Sequence, residues 1–284
     1  LRADGPPIEA ITNRGYALPH GADLLNADAI TALLAPAVAQ AVQITVVDRL
    51  PGTNAALRTQ ATNGAPEGLV LIAQAQSAGR GRRGHSFFSP PGGLYLSILL
   101  RPAFSTRQSP QITALAAVAA ARAAEQLCGT PIQIKWVNDL WKNGKKVCGI
   151  LTEAGTDLES GQLEWLVVGI GLNLTATAED FPPELAAKAG SLYPGGPAPV
   201  SRAALAGAIG RELLALCPGF ACLDEYRARC FVPGHWVTVC TGTETYAAQA
   251  LSIDGTGRLV VQRDGGRIEA LRCGEVTIRP TKTD

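Results

Sequence analysis

From Gln76 to Phe88 the chain runs Gln76-Ser77-Ala78-Gly79-Arg80-Gly81-Arg82-Arg83-Gly84-His85-Ser86-Phe87-Phe88, three guanidiniums on a glycine-hinged loop. Glycines let a ligand approach the main chain, and arginine forks grip carboxylate or phosphate through paired hydrogen bonds, so the loop suits an anion. It also matches G-x-G-x-x-G and falls one residue short of a P-loop. Neither context fits. His85 stands where a P-loop needs lysine, Pro90-Pro91 bar the helix that a dinucleotide turn opens, and the next carboxylate is Glu125, 41 residues beyond Gly84, against a usual spacing of about 20. A solvated basic turn or a nonspecific nucleic-acid patch accounts for such a loop taken alone.

Three further groups carry candidate chemistry. In Pro131 to Val137 alternation puts Ile132, Ile134 and Trp136 on one side and Gln133, Lys135 and Val137 on the other, so Lys135 projects away from the apolar stripe and can clamp an anion. An ordinary edge-strand lysine followed by turn residues Asn138-Asp139 fits the same pattern. Gly52-Thr53-Asn54 offers small polar groups at a helix start, and Gly169-Ile170-Gly171-Leu172-Asn173 a glycine-paired strand. Each also reads plainly, as helix caps and as close strand packing.

The elements that must position these groups follow from periodicity and turn chemistry. Asn26 caps a helix to about Leu34, Val42 to Asp48 is a β-branched strand, and a helix runs from Thr53 to about Thr62. Gly68 to Gln76 and Leu94 to Leu100 are strands joined by the arginine loop. Ser109-Pro110 opens an alanine-rich helix ending at Cys128-Gly129. Asn143-Gly144 marks a hairpin, and with Leu163 to Leu172 it predicts a three-stranded antiparallel meander. Helices from Ser201 to about Cys217 and from Cys222 to Arg229 follow. Beyond Phe231 glycine-punctuated strands at 236–241, 245–253, 258–263 and 267–270 predict a small all-β unit of about fifty residues.

Composition narrows the class. The 284 residues are 46% hydrophobic and 17% charged with net charge +1, which excludes bulk disorder and a global field for nucleic acid or membrane. No apolar run reaches the length of a membrane span. Seven cysteines without a C-x-x-C pair and three histidines indicate neither a zinc site nor a disulfide framework, so a reducing cytoplasm is expected. Methionine is absent, position 1 included, which gives the expectation that residues precede Leu1.

In this order, GTNAAL from Gly52, QSAGRGRRG from Gln76, KWVNDL from Lys135, GKKVCGILTE from Gly144 and GIGLN from Gly169 resemble the biotin protein ligases, with a weaker likeness at GEVTIR near the end. The resemblance implies an α+β fold: a central mixed sheet with helices, similar to class II aminoacyl-tRNA synthetases, plus an SH3-like C-terminal barrel. It divides the chain into residues 1–18, the end of a winged-helix domain carrying NRGYAL; 19–26, a linker; 27–229, the catalytic biotin and ATP domain; and 230–284, the barrel.

The activity implied has two half-reactions. Biotin carboxylate attacks the α-phosphate of ATP, giving biotinyl-5′-AMP and pyrophosphate, and a lysine amine of a biotin carboxyl carrier domain then displaces AMP. By carry-over, Arg80, Lys135 and Arg82 are the catalytic residues. Gly52, Thr53, Asn54, Gln76, Arg80, Gly81, Arg82, Lys135 and Gly149 surround biotin, with the Gly149-Ile150-Leu151 strand along it. Arg82, Arg83, Asn138, Asn173 and Lys146 serve the nucleotide. Mg²⁺ is implied with ATP, without an identified ligand set. The family usually has Ser-Thr-Asn, Lys-Trp-Pro-Asn-Asp and a tryptophan where this chain has Gly52-Thr53-Asn54, Val137 and Phe87. A homodimer fits the resemblance, a DNA operator only if a full winged helix precedes, and no membrane is involved. The rival readings are a lipoate-type ligase and a biotin-sensing DNA-binding repressor with little ligase activity.

Overall fold

The computed structural model describes residues 9–11, 15–17, 23–102, 109–157, 162–216 and 222–279. The rest of 1–22, including 12–14 and the first half of the expected linker, lies outside them, as does Cys217. In chain order, β1 (Glu9–Ile11) and β2 (Gly15–Ala17) form an antiparallel pair, then α1 (Ala27–Thr31) and α2 (Pro36–Ala41) precede β3 (Gln43–Leu50), α3 (Thr53–Thr62), β4 (Leu69–Gln76) and β5 (Leu94–Leu100). Next come α4 (Ser109–Cys128), β6 (Gln133–Lys135), β7 (Asp139–Lys142), β8 (Lys145–Thr156) and β9 (Leu163–Leu172). The helices α5 (Pro183–Ala186), α6 (Arg202–Leu216) and α7 (Leu223–Arg229) lead to β10 (Trp236–Cys240), β11 (Thr245–Ile253), β12 (Leu259–Arg263), β13 (Ile268–Leu271) and β14 (Glu275–Ile278).

A seven-stranded mixed sheet, order β3-β4-β5-β9-β8-β7-β6, forms the centre; β3 and β4 pair in parallel and every other neighbour is antiparallel. The expected meander is β7, β8 and β9, turned by Asn143 and Gly144, both at positive φ. On one face α4 packs with α6, and α1 with α6; the α4 alanines between Ala116 and Ala121 are fully buried. Their small size lets helix and sheet approach closely, and burial of this layer supplies most of the core. The other face is covered only in part. There α3 seats Leu57 and Ala61 on Leu71, Leu99, Trp165 and Val167, and the stretch at Gly149 and Gly171 carries the ring of Phe87 instead of a helix.

A five-stranded antiparallel sheet, order β13-β12-β11-β10-β14, closes the chain. Its last strand, β14, is absent from the strands predicted by pattern, because Glu275 to Ile278 is short and follows a glycine. The helix expected from Asn26 to about Leu34 is α1, which ends at Thr31; Asn26 caps it through Oδ1 accepting from the Ala29 N–H at 2.8 Å, and Pro36 starts a further helix, α2, that the pattern does not predict. The strand expected to reach Val137 stops at Lys135. Residues 136–138 turn, with a cis Trp136–Val137 peptide, and Trp136 and Val137 are both buried rather than alternating. Among the described residues no helix is long and apolar enough to cross a membrane.

Candidate active site

The uncovered part of the sheet floors a cavity of about 740 Å³. Its floor is nearly free of side chains because Gly149 pairs with Gly171 and Leu151 with Gly169 across β8 and β9. The walls are the start of α3, the arginine loop, the turn at 135–139, the segment around α5, and β14 of the second sheet.

At the α3 end Gly52 is the N-cap, extended and without a side-chain cap bond, so the first donors of the helix seek other partners. Gln76 provides one: its Oε1 accepts the Thr53 N–H at 2.8 Å and lies 3.2 Å from Thr53 Oγ1. Gln76 Nε2 donates to Ser89 Oγ at 2.8 Å, and Ser89 Oγ to the Phe87 carbonyl at 2.9 Å. Asn54 Nδ2 donates to the Leu151 carbonyl (3.1 Å) and to Glu153 Oε2 (3.0 Å), while its Oδ1 lies 2.6 Å from Ser97 Oγ. Glu153 also accepts from Arg58 at 3.0 Å. The approach of Asn54 is possible because Gly169 lacks a Cβ, which would collide with Asn54 Oδ1.

The loop is folded. Gly81 N–H donates to His85 O at 2.7 Å, Phe87 N–H to Gly79 O at 2.8 Å, and Arg80 bridges to Ser86. Gly79 is obligatory here, since a Cβ would run into Phe87 O. Arg80 makes no side-chain hydrogen bond or ion pair among the described residues. Arg82 Nη1 lies 3.3 Å from both Asn138 Oδ1 and Gly274 O, and Arg83, at φ 55°, donates to the Cys240 carbonyl at 2.8 Å. Two of the loop's cations are thus tied to the C-terminal sheet. Burial lowers the pKa of Arg82, against the opposing pull of Cys273 and Asp139.

Lys135 is half-buried. Among the described residues its close partner is the ring of Trp141, with Nζ 5.3 Å from the centroid, and burial lowers its pKa although Asp139 and Glu275 act the other way. A cation that is desolvated and unpaired binds an incoming anion with little competition from water. Lys146 is paired with Asp139 at 2.8 Å and stands 5.8 Å over the Phe87 ring. Asn138 Nδ2 donates to the Ile150 carbonyl at 2.7 Å.

Of the residues singled out in the sequence, Gly52, Thr53, Asn54, Gln76, Arg80, Gly81, Arg82, Arg83, Lys135, Asn138, Lys146 and Gly149 all border this one cavity. Asn173 does not. It stands behind the wall, buried, its Nδ2 donating to Gly190 O at 3.0 Å and its Oδ1 unpaired, because the chain after β9 doubles back and bonds to it. Sequence reasoning missed Ser97, Glu153, Trp141 and β14. Ser97 was findable as the one aliphatic hydroxyl inside the apolar strand LYLSILL, and β14 lies within GEVTIR, whose weak likeness did not mark it as a wall of the site.

The comparisons agree with this geometry. The model of the biotin/lipoate A/B protein ligase family matches residues 46–173. The bifunctional ligase/repressor BirA of Bacillus spizizenii is 32% identical over 279 residues, covering 94% of this chain and 83% of that protein. The biotin--[acetyl-CoA-carboxylase] ligase of Mycobacterium tuberculosis is 33% identical over 248 residues, covering 82% and 88%. The Aquifex aeolicus biotin protein ligase, solved with biotin and ATP, shares the fold at a TM-score of 0.68 and 24% identity, covering 84% of this chain and 99% of that one. With a matched ligase core, relatives aligned over most of their length and the motif residues gathered at one cavity, the chain belongs to the biotin/lipoate A/B protein ligase family.

Proposed function

We propose that this chain is an ATP-dependent biotin protein ligase, which makes biotinyl-5′-AMP and passes the biotinyl group to a carrier lysine. The observation that carries the reading is the pairing of two environments in one cavity: a neutral hydrogen-bonding end at Thr53, Asn54 and Gln76, and a cationic end at Arg80, Lys135 and Lys146. A ureido ring needs the first, and a carboxylate meeting a triphosphate needs the second.

In the first half-reaction a carboxylate oxygen bonds to the α-phosphorus and the bond from that phosphorus to the bridging oxygen breaks, releasing pyrophosphate. Both reactants are anions, so the chain's task is positioning and charge compensation, and it supplies no nucleophile. Arg80 and Lys135, free of side-chain ion pairs among the described residues, are the groups able to engage the reacting oxygens. Arg82 holds the loop down over the adenylate through Asn138 and Gly274, Arg83 does so through Cys240, and Gly81 keeps the loop backbone open to the ligand. Asn173, buried behind the wall, serves the nucleotide side only indirectly, bracing the chain at Gly190 through its Nδ2. Asn138 and Asp139 offer oxygens at the cationic end that fit Mg²⁺ held mainly by phosphate; when bound, the ion neutralises charge on the triphosphate.

In the second half-reaction the lysine amine attacks the acyl carbon, AMP departs with the bond electrons, and the amine loses a proton. The partner is a biotin carboxyl carrier protein or domain, in a reducing cytoplasm. The five-stranded sheet is read as SH3-like, residues 1–18 as the end of a winged helix with 19–26 as its linker, and residues 27–229 as the catalytic unit. Pairing of two chains and operator binding belong to the same reading. Biotin-dependent exchange of labelled pyrophosphate into ATP tests the first step: exchange is expected with biotin and not with lipoate, and exchange with lipoate alone would transfer the reading to a lipoate-type ligase.

A further inference from the structure

Four side chains share one face of β6, β7 and β8 at the cationic end of the cavity. Lys135 and Asp139 are register partners across β6 and β7, so both leave the sheet on the same side. Trp141, two residues further along β7, shares that side. A bulge after Leu140 sets Trp141 opposite Lys146 and leaves Val147 in the core. All four border the cavity. A carboxylate placed across from Lys135 is its natural partner, and such a pair would offer an incoming anion little net charge. The structure has the other arrangement. Lys146 Nζ lies 2.8 Å from Asp139 Oδ1, while the Lys135 ammonium stands 5.3 Å over the Trp141 ring centroid and makes no ion pair among the described residues.

A ring face attracts an ammonium through its quadrupole and leaves the charge whole, which a carboxylate does not. The ring is itself braced. Phe231 meets it edge-on at 5.8 Å, and the Phe231 N–H donates to the Ile134 carbonyl at 3.1 Å, beside Lys135. No hydrogen bond fixes the indole, since Trp141 Nε1 is buried without a partner, so the ring face and not its N–H is what serves Lys135. We infer that Trp141 is a positioning residue for adenylate formation: its ring seats the Lys135 ammonium at the cavity while Lys146 occupies Asp139, and Lys135 therefore meets the anionic reactants unneutralised. The inference rests on the ligase reading above and deepens it, giving Lys146 a task separate from contact with the nucleotide.

The test is calorimetric binding to the full chain of inorganic pyrophosphate without metal, and of biotin. Trp141→Leu is expected to weaken pyrophosphate about tenfold and to change biotin affinity less than about twofold, a split that general damage to the fold does not give. Trp141→Phe keeps a ring face and is expected to stay within about threefold of wild type for pyrophosphate. A mutant cycle tests the part of Lys146. Asp139→Asn is expected to raise pyrophosphate affinity about twofold in wild type, where Lys146 already holds the carboxylate, and about tenfold in Lys146→Met, where the freed carboxylate has captured Lys135. Equal gains in the two backgrounds overturn the inference, as does undiminished pyrophosphate affinity in Trp141→Leu or an equal loss in Trp141→Phe. Wild type that does not bind pyrophosphate overturns it as well. Absence of biotin-dependent pyrophosphate exchange in a wild type that does bind it would instead remove the ligase reading on which the inference stands.

Discussion

The ring of Phe87 lies on the bare backbone of Gly171, so close that a Cβ there would come within 2.5 Å of Phe87 Cε1. The neighbouring strand gives the ring its second support, at Gly149, where a Cβ would stand 3.0 Å from Phe87 Cε2. Tyr95 meets the ring edge-on at 6.4 Å. Two register-paired glycines thus form the seat of the aromatic residue that ends the arginine loop. Gly171→Ala should evict the ring and weaken biotin binding about tenfold, in line with overpacking costs of about 1–3 kcal/mol. Gly149→Ala should cost less, because its other neighbour is the flexible end of Lys146. Titration calorimetry on the two variants checks the order, and equal losses would contradict it.

Lys135 should make anion binding depend on pH sooner than an ordinary lysine does. Burial favours its neutral form, so its positive charge is lost as pH rises through a value below the usual 10.5. Pyrophosphate affinity is expected to decline across that alkaline range in wild type and to stay flat in Lys135→Arg, whose charge persists. Lys135→Ala should lower adenylate formation by about 10²-fold or more, the scale for a lost transition-state contact. Stopped-flow pyrophosphate release reads both effects.

Arg83 joins the loop to the C-terminal sheet through the Cys240 carbonyl. Arg83→Ala should leave global stability within about 1 kcal/mol, since the contact is exposed, while amide exchange quickens in residues 80–86 and 240–242. Faster exchange spread over α4 as well would contradict a local role.

Asp254 governs the turn between β11 and β12. Burial acts to raise its pKa, but hydrogen bonds from Thr256 and Arg258 outweigh it and bring the carboxyl from 3.8 down to about 2. Because the folded value is the lower one, the stability it adds is present above about pH 4 and is lost as pH falls through about 2. Asp254→Asn is expected to destabilise by about 1 kcal/mol at pH 7 and to flatten the stability profile between pH 4 and 2, measured by urea unfolding.

Much of this architecture was legible. Residues 94–100 and 163–172 were bounded correctly because apolar runs ended at turn residues, and Asn143-Gly144 announced its hairpin. The meeting of Thr53, Gln76, Arg80 and Lys135 came from motif order, whereas their hydrogen bonds did not. Contacts such as Asn54 to Glu153, 99 residues apart, depend on sheet register, which local periodicity does not encode. The same holds for Trp136 Nε1, which donates to Gly257 O at 3.0 Å in the second sheet. Asn173 was read as a nucleotide ligand from its place after a glycine strand; the backbone folding over it put it behind the wall.

The most direct measurement is mass spectrometry of an apo carrier domain after incubation with the purified chain, MgATP and biotin, with lipoate in a parallel reaction. The account predicts one biotinyl group on the carrier lysine and no lipoyl product. An unmodified carrier, together with no biotinyl-AMP bound to the chain, would contradict it.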